Sequence, residues 1–343
     1  MKHFVLVAGY ELPPKNLPFR TYCENRVRQH VAANRAKEDL VFQILDVGRG
    51  EVVIRTFTYP GGTRTESVAA VRSFEPVTRN HYNGNVFKEN QDDVMSVLDI
   101  YDAVRTIGRT APGTLMELSF LSHGFSHGPV LVDSLDDSMV EGPNPDTGRP
   151  ETFWISDRFR DPDDKDPRTK DFDVPNMTYG ELAGFQAAYH PDAINWSWGC
   201  AFEKAAHQIL HRLEYHPDYR SSGVPDDQVF VFTNFSASHV NHLTMILRTP
   251  FPDHRKVEIT FGTLKLYFHK QLLASYSHAL AVASGRTTFG ALIGTYAERD
   301  TGPRPQMHIN KQFTRHFTFY RNYFGFTFDP EGRWYGAYDP AFL

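Results

Sequence analysis

The chain has 343 residues, of which 41% are apolar and 14% aromatic, so it can bury the core of one large domain or two ordinary ones. Its 36 basic and 41 acidic residues give a net charge of −5 without a Lys/Arg-rich block, which argues against nucleic acid and anionic membrane surfaces as partners. No window reaches the roughly 18 apolar residues that a membrane span requires.

The first predicted element is a strand over residues Lys2 to Ala8. Its apolar run, Phe4 to Ala8, is too short for a signal peptide and leads into polar, Pro-rich sequence. The two cysteines, Cys23 and Cys200, cannot form a disulfide framework and suit a reducing compartment. We therefore expect a cytoplasmic protein, or one exported without a classical signal peptide.

The next elements alternate between helix and strand. Residues Tyr22 to Ala36 are predicted to be helical, and Leu40 to Val47 and Val52 to Phe57 to be strands joined by a Gly-Arg-Gly turn. A further helix opens at Asp92 and Asp93, keeps apolar residues at i, i+3, i+4 and i+7 spacing, and closes at Gly108.

The middle of the chain holds two predicted strands that end in chemically active residues. Leu115 to Leu121 has the length of a buried parallel strand and is followed by a His-Gly pair. After an Asp- and Pro-rich insertion at about 136–175 and a helix from Tyr179 to Tyr189, the strand Ala193 to Trp198 ends in Gly-Cys. A helix is predicted from Ala201 to Glu214. This alternation predicts an α/β fold with a mostly parallel sheet flanked by helices.

The C-terminal part is predicted to add an aromatic β layer. Gln228 to Asn234 is interpreted as a strand and Leu264 to Ser284 as one long helix. The segment "HFTFYRNYFGFTFDPEGRWYGAY" alternates at period 2 around the turn "DPEG", which predicts an antiparallel hairpin. We expect residues 1–300 to form one α/β domain and 301–343 an extension packed on it, either as a core layer or as an aromatic surface for a partner.

The two strand ends carry the residues that thiol chemistry needs. The sheet would present His123 or His127 at one strand tip and Cys200 at the next, where open α/β sheets place their sites. A free thiol is activated by a nearby imidazole or by a helix N-terminus, and Cys200 directly precedes a predicted helix. Gly124 and Gly199 leave backbone room for N–H groups that face a developing oxyanion.

This pattern resembles the caspase-like cysteine peptidases, which include caspases, metacaspases, legumains, gingipains and separases. The resemblance implies Cys200 as nucleophile, His123 as base and the N–H groups of Gly124 and Cys200 as oxyanion donors. It also implies a short hairpin after the His-Gly pair, which matches "GPVLVDS". The chain departs from caspases after Cys200, where the Gly two residues on is missing, and in a His-to-Cys spacing longer than the typical ~50 residues. The insertion accounts for the longer spacing.

Two other interpretations stay open. "GFSHG" fits the G-x-S-x-G elbow around Ser126, which would make the protein a serine esterase or lipase of α/β-hydrolase type, although Pro and β-branched residues after Gly128 disfavour the required helix. His127 is an alternative base. The third interpretation is a catalytically inactive binding or scaffold protein with the same fold.

Metal ligands are not required by the favoured chemistry. His207 and His211 have zinc-like i, i+4 spacing, but the Glu of the H-E-x-x-H motif is missing and a solvated helix face is favoured. The carboxylates of the acidic insertion could bind calcium, but their spacing matches no regular calcium loop. These residues are Asp157, Asp161, Asp163, Asp164 and Asp166.

Taken together, these patterns predict a cysteine endopeptidase that acts on protein or peptide substrates.

Overall fold

A central eight-stranded sheet organises the protein. The computed structural model describes the whole chain except residues 13, 15, 84–85, 88–92, 134–139, 144–149, 154–169, 175, 234, 252–254 and 342–343. We number the sheet strands in chain order as β1 (Lys2–Ala8), β2 (Leu40–Asp46), β3 (Glu51–Thr58), β4 (Thr65–Ser73), β5 (Leu115–Leu121), β6 (Tyr189–Ser197), β7 (Thr288–Gly290) and β8 (Gly336–Tyr338). Across the sheet they lie in the order β8-β7-β6-β5-β1-β2-β3-β4.

The middle of the sheet is parallel and its margins are antiparallel. Strands β7, β6, β5, β1 and β2 run in one direction, whereas β3, β4 and β8 run against their neighbours. Chain order reverses at β1, because β2 lies on one side of it and β5 on the other. In open α/β sheets the crevice at such a reversal, outside the carboxyl ends of the strands, is the usual place for a binding site.

Helices cover both faces of the sheet. They are α1 (Phe19–Ala33), α2 (Val97–Thr110), α3 (Tyr179–Ala188), α4 (Lys204–Glu214), α5 (Ala237–Leu247), α6 (Phe261–Leu273), α7 (Tyr276–Ser284) and α8 (Thr314–Phe324). Side chains of α1, α4, α5, α6 and α8 share one buried cluster, and side chains of α2, α3 and α7 share the other. The predicted α/β fold, a mostly parallel sheet flanked by helices, is therefore confirmed.

Strand β1 shows how the pattern of side chains builds these two layers. Phe4, Leu6 and Ala8 belong to one buried cluster, while Val5 and Val7 belong to the other. Successive side chains of a strand point to opposite faces, so a strand that is apolar at every position must be covered on both sides.

Several short strand pairs and turns lie outside the central sheet. The parallel pair is Tyr10–Glu11 with Val132–Asp133; the antiparallel pairs are Tyr82–Asn83 with Val86–Phe87, His123–Phe125 with Gly128–Val130, Val140–Pro143 with Pro150–Phe153, Val229–Thr233 with Lys256–Thr260, and Ala297–Asp300 with Gln306–Ile309. Single 3₁₀ turns occupy Pro60–Gly62, Arg79–His81 and Lys311–Phe313.

The helix boundaries differ from the sequence-based expectations at several positions, and α1 spans Phe19–Ala33 instead of Tyr22 to Ala36. Helix α2 begins at Val97, because Ser96 caps it through a hydrogen bond from the Leu98 N–H. The expected helix Leu264 to Ser284 is divided into α6 and α7, with Ser275 capping the second. Helix α4 begins at Lys204 rather than Ala201, so the prediction that Cys200 directly opens a helix is wrong.

The C-terminal aromatic segment is only partly a β structure. Strand β8 pairs antiparallel with β7, and an antiparallel bridge joins Phe328 to Gly336 across the predicted turn. The first half of the predicted hairpin is wrong, because Thr314–Phe324 is helical. Its apolar residues also fit helical spacing, and Gly325 ends the helix in the left-handed region at φ 72°. Buried aromatic side chains come from both halves, including Phe317, Tyr320 and Tyr335. These rings form a core layer, which is the first of the two alternatives for this segment.

None of the helices among the described residues combines the length and the apolar character that crossing a membrane takes.

Candidate active site

The carboxyl ends of three neighbouring parallel strands lie level with one another. The Gly9 N–H, just after β1, donates to the Leu121 carbonyl at the end of β5 (2.9 Å). The Trp198 N–H, just after β6, donates to the Phe120 carbonyl (3.1 Å). The segments that follow these strands therefore leave the sheet side by side, which brings Glu11, His123 and Cys200 to one edge.

The chain segment that carries His123 and Gly124 contacts the segment that carries Gly199 and Cys200. A Cβ atom placed on Gly199 would lie 2.7 Å from the Gly124 nitrogen and 2.9 Å from the His123 carbonyl carbon. A Cβ atom on Gly124 would lie 3.2 Å from the Cys200 carbonyl oxygen. Side chains at these two positions would push the segments apart, so the paired glycines permit the contact.

Cys200 is held by the segment that follows β7. Its Sγ accepts a hydrogen bond from the Ala297 N–H (3.3 Å). The same segment holds the next residue, because the Ala201 N–H donates to the Thr295 carbonyl and the Gly294 N–H donates to the Ala201 carbonyl. Burial raises the pKa of the Cys200 thiol, while the Ala297 N–H and the charge of Arg299 partly offset this effect. The thiol therefore needs a base to become a nucleophile near neutral pH.

His123 faces two carboxylates and an aromatic ring. Its Nε2 lies 3.0 Å from Glu11 Oε1 and 3.5 Å from Asp133 Oδ2. The Phe19 ring meets the imidazole edge-to-face at 5.3 Å between centroids. Glu11 and Asp133 are register partners in the short parallel pair that follows β1, which explains why both carboxylates reach the same nitrogen.

Glu11 is a buried anion at this edge of the sheet. It is only 7% exposed, and Arg299 Nη2 lies 2.5 Å from its Oε1. Burial opposes ionisation, but the hydrogen bonds from Arg299 and His123 outweigh it and lower the pKa of Glu11 to about 2. The site therefore contains a fixed negative charge beside the imidazole at neutral pH.

The structure brings the predicted His123, Gly124 and Cys200 to adjoining segments without a hydrogen bond between the imidazole and the thiol. In the described part of the chain, His123 bonds through Nε2 to Glu11, and the Cys200 Sγ bonds to the Ala297 backbone. The roles predicted for these residues therefore stay a proposal.

The alternative residues Ser126 and His127 lie in the turn of the hairpin His123–Phe125 with Gly128–Val130. Ser126 is 6% exposed, and its carbonyl accepts from the Tyr276 N–H (2.9 Å). His127 Nδ1 lies 3.2 Å from the Ala274 carbonyl oxygen. A strand follows Ser126 instead of the helix that a nucleophile elbow requires, so the G-x-S-x-G match lacks its structural context.

Four residues of this site were not predicted from the sequence. Glu11, Asp133, Ala297 and Arg299 come from segments whose local patterns indicate no chemistry. Glu11 had one usable signal, since it directly follows a buried parallel strand in the same way as His123 and Cys200. Arg299 lies in a short strand far along the chain, and no local pattern connects it with Glu11.

A cavity of about 550 Å³ adjoins the site on the β2 side. Glu11 and Phe19 line it together with Tyr10, Asp46 and Gly48. Its position outside the carboxyl ends of β1 and β2 suits a binding cleft. Neither His123 nor Cys200 is among its lining residues.

No three His, Cys, Asp or Glu side chains converge as a metal site within the residues that the structure describes. The Asp residues considered for calcium, Asp157, Asp161, Asp163, Asp164 and Asp166, lie outside those residues. His207 is not on a solvated face as expected, because it is half-buried and its Nδ1 lies 3.0 Å from His316 Nε2.

No protein-family model and no curated protein sequence matches the chain. Among solved structures, the chain is similar to a secreted C11 cysteine protease from Bacteroides thetaiotaomicron, determined in complex with an irreversible peptide inhibitor. The identity is 10% and the TM-score 0.25, over 78% of this chain and 58% of that chain.

Proposed function

We propose that this protein is a cysteine endopeptidase in which Cys200 is the nucleophile and His123 the base. The observation that supports the proposal is the backbone contact between the His123–Gly124 segment and the Gly199–Cys200 segment. A thiol and an imidazole on two touching segments, at the carboxyl ends of adjacent parallel strands, form a pair suited to nucleophilic catalysis.

The proposed reaction proceeds by acyl transfer. His123 takes the proton of the Cys200 thiol, and the sulfur attacks the carbonyl carbon of the peptide bond. The N–H groups of Gly124 and Cys200 stabilise the negative oxygen of the tetrahedral intermediate. The amine product leaves with the proton from His123, and water then hydrolyses the thioester and restores the thiol. This chemistry requires no metal ion or cofactor, and its substrate is a protein or peptide.

The electrostatic environment of Cys200 explains why the base is needed. Burial disfavours the free thiolate, so a transient thiolate formed together with an imidazolium is the accessible nucleophile. The Ala297 N–H on Sγ and the nearby Arg299 charge both favour the ionised sulfur.

The test is hydrolysis of fluorescently labelled casein by purified full-length variants. Cys200→Ala and His123→Ala should each remove activity, whereas Cys23→Ala and Ser126→Ala should retain it. Full activity in Cys200→Ala would refute the proposal. Loss of activity in Ser126→Ala together with labelling by a fluorophosphonate would favour the serine hydrolase. A folded wild type that neither hydrolyses casein nor reacts with thiol or serine probes would favour the scaffold alternative.

A further inference from the structure

Glu11 and His123 form the shortest polar contact of the imidazole in this site, and the contact distinguishes its two ring nitrogens. Nε2 lies 3.0 Å from Glu11 Oε1. An ionised carboxylate can only accept a hydrogen bond, so the nitrogen that faces it must carry the proton. The other nitrogen, Nδ1, then keeps its lone pair.

We propose that Glu11 is a positioning residue that holds neutral His123 as the Nε2–H tautomer, so that Nδ1 is the nitrogen that acts as base. The inference rests on the proposed function for the identity of the proton donor, Cys200. It adds a residue that touches neither the thiol nor the scissile bond.

The Glu11 carboxylate is itself fixed from several directions. Arg299 Nη2 lies 2.5 Å from Oε1, and the Asn16 N–H donates to Oε2 at 3.2 Å. Asn16 Nδ2 donates weakly to Oε1 at 3.4 Å. The backbone of Glu11 is held as well, because the Leu12 N–H donates to the Asp133 carbonyl at 2.8 Å. A carboxylate with this many donors has little freedom to turn away from the imidazole.

The imidazole is confined by the same group of residues. The Phe19 ring packs edge-to-face against it, and the Arg299 guanidinium lies 4.9 Å from the centre of that ring. Phe19 thus contacts both His123 and Arg299, and Glu11 Oε1 also contacts both of them. Asp133 Oδ2 is a second carboxylate on Nε2, but at 3.5 Å it is a weaker acceptor than Glu11.

The arrangement suits the proton balance of the proposed reaction. When Nδ1 takes the proton from the thiol, the imidazole becomes a cation with an N–H on both nitrogens, and its positive charge faces the Glu11 anion. When the proton passes to the leaving amine, the Nε2–H tautomer returns. Glu11 gains no proton in either step, as expected for a carboxylate that orients a catalytic histidine.

The experiment reads the tautomer directly. Full-length wild type with ¹⁵N-labelled histidine is compared with His123→Gln, which assigns the His123 signals, and two-bond ¹H–¹⁵N spectra identify the protonated ring nitrogen. We expect the Nε2–H form in the wild type. Glu11→Gln should give a mixture of tautomers and a fall in kcat of about 10²- to 10⁴-fold with little change in KM, the range that general base catalysis contributes. Glu298→Gln, which changes the carboxylate next to Arg299 in the chain, should alter neither the His123 tautomer nor kcat.

The outcomes separate this inference from the proposed function. An Nδ1–H tautomer in the wild type would overturn it without any variant, even if Glu11→Gln failed to fold. An unchanged tautomer and kcat in Glu11→Gln would also overturn it. Asp133→Asn should preserve the Nε2–H form of His123. If Asp133→Asn changed the tautomer and kcat more than Glu11→Gln does, the positioning of His123 would be assigned to Asp133 instead. An Nε2–H wild type with a fully active Cys200→Ala would support the role of Glu11 and refute only the role of Cys200.

Discussion

Gly199 lies so close to Gly124 that a single added methyl group on Gly199 would come within 2.7 Å of the Gly124 nitrogen. This contact joins the end of β6 to the segment after β5 and sets how far Cys200 can lie from His123.

Gly199→Ala should push apart the segments that carry Cys200 and His123. The new Cβ would meet backbone atoms, which cannot rotate away as a side chain does, so the free energy of unfolding should fall by about 1–3 kcal/mol, as for overpacked sites. Activity on casein should fall about 10²-fold because a displacement near 1 Å misaligns reacting groups. Gly184→Ala in α3 is the matched control, since nothing lies within 4 Å of its added Cβ. It should stabilise the protein by about 0.5–1 kcal/mol. Equal behaviour of the two variants in urea unfolding would contradict the prediction.

Iodoacetamide should label Cys200 and spare Cys23 in the folded protein. Cys23 is fully buried in α1, and burial raises its pKa well above the ordinary value, whereas Cys200 is partly exposed. Because the pKa of Cys200 is also raised, its labelling rate should increase as the pH rises toward and beyond 9. Peptide mass spectrometry gives the site of labelling. Cys23 serves as the internal control and should react only after denaturation; similar rates at both sites before denaturation would contradict the prediction.

Glu117→Gln should destabilise the fold strongly. The Glu117 carboxylate is 1% exposed in β5 and binds Arg26 Nη2 at 2.8 Å and His30 Nε2 at 2.9 Å. Removing the charge leaves the buried Arg26 without its closest buried partner, which typically costs about 3–5 kcal/mol. Glu66→Gln is the control, because its ion pair with Arg55 is exposed and should contribute about 0–1 kcal/mol. Urea midpoints that shift equally would show that the buried pair has no special role.

Acidification should weaken the fold through His207. Burial, together with the neighbouring His316 and His211, lowers the pKa of His207 from 6.5 to about 4. The unfolded chain therefore binds a proton more readily than the folded protein, so the free energy of unfolding falls as the pH drops from about 6.5 to about 4. Removing the group should remove part of that dependence: His207→Gln should lose less thermal stability than the wild type between pH 7 and pH 5. His211→Gln removes only one of the neighbours that lower the pKa of His207, so it should reduce the pH dependence less than His207→Gln does.

Strands β1, β2, β3, β5 and β6 were predictable because they carry strong local signals, whereas β4 and β7 were not predicted. Strand β5 has the bounds Leu115–Leu121 that its run of buried apolar residues indicates, and the hairpin after His123 follows from Pro and β-branched residues after Gly128. The start of α4 was harder to place. Ala201 and Phe202 are compatible with a helix, but Ala201 bonds to Gly294 and Thr295, and Glu203 caps the helix after them.

The aromatic C-terminus shows the limit of periodicity. In "HFTFYRNYF", aromatic residues are so frequent that periods of 2 and 3.6 both fit. Packing decides between them, because as a helix α8 buries Phe317, Phe319 and Tyr320 in the cluster that also holds α4 and α6. Tertiary contacts override a local pattern whenever that pattern fits two structures almost equally.

Local sequence patterns were enough to predict the α/β layering and the strands that lead to His123 and Cys200, because burial of apolar side chains follows a period that is visible along the chain. Three-dimensional packing alone places Glu11 and Asp133 beside the imidazole, Arg299 on Glu11 and the Ala297 N–H on the thiol. These contacts join residues far apart in the chain, at distances set by sheet register and crossover connections, and no local pattern encodes them.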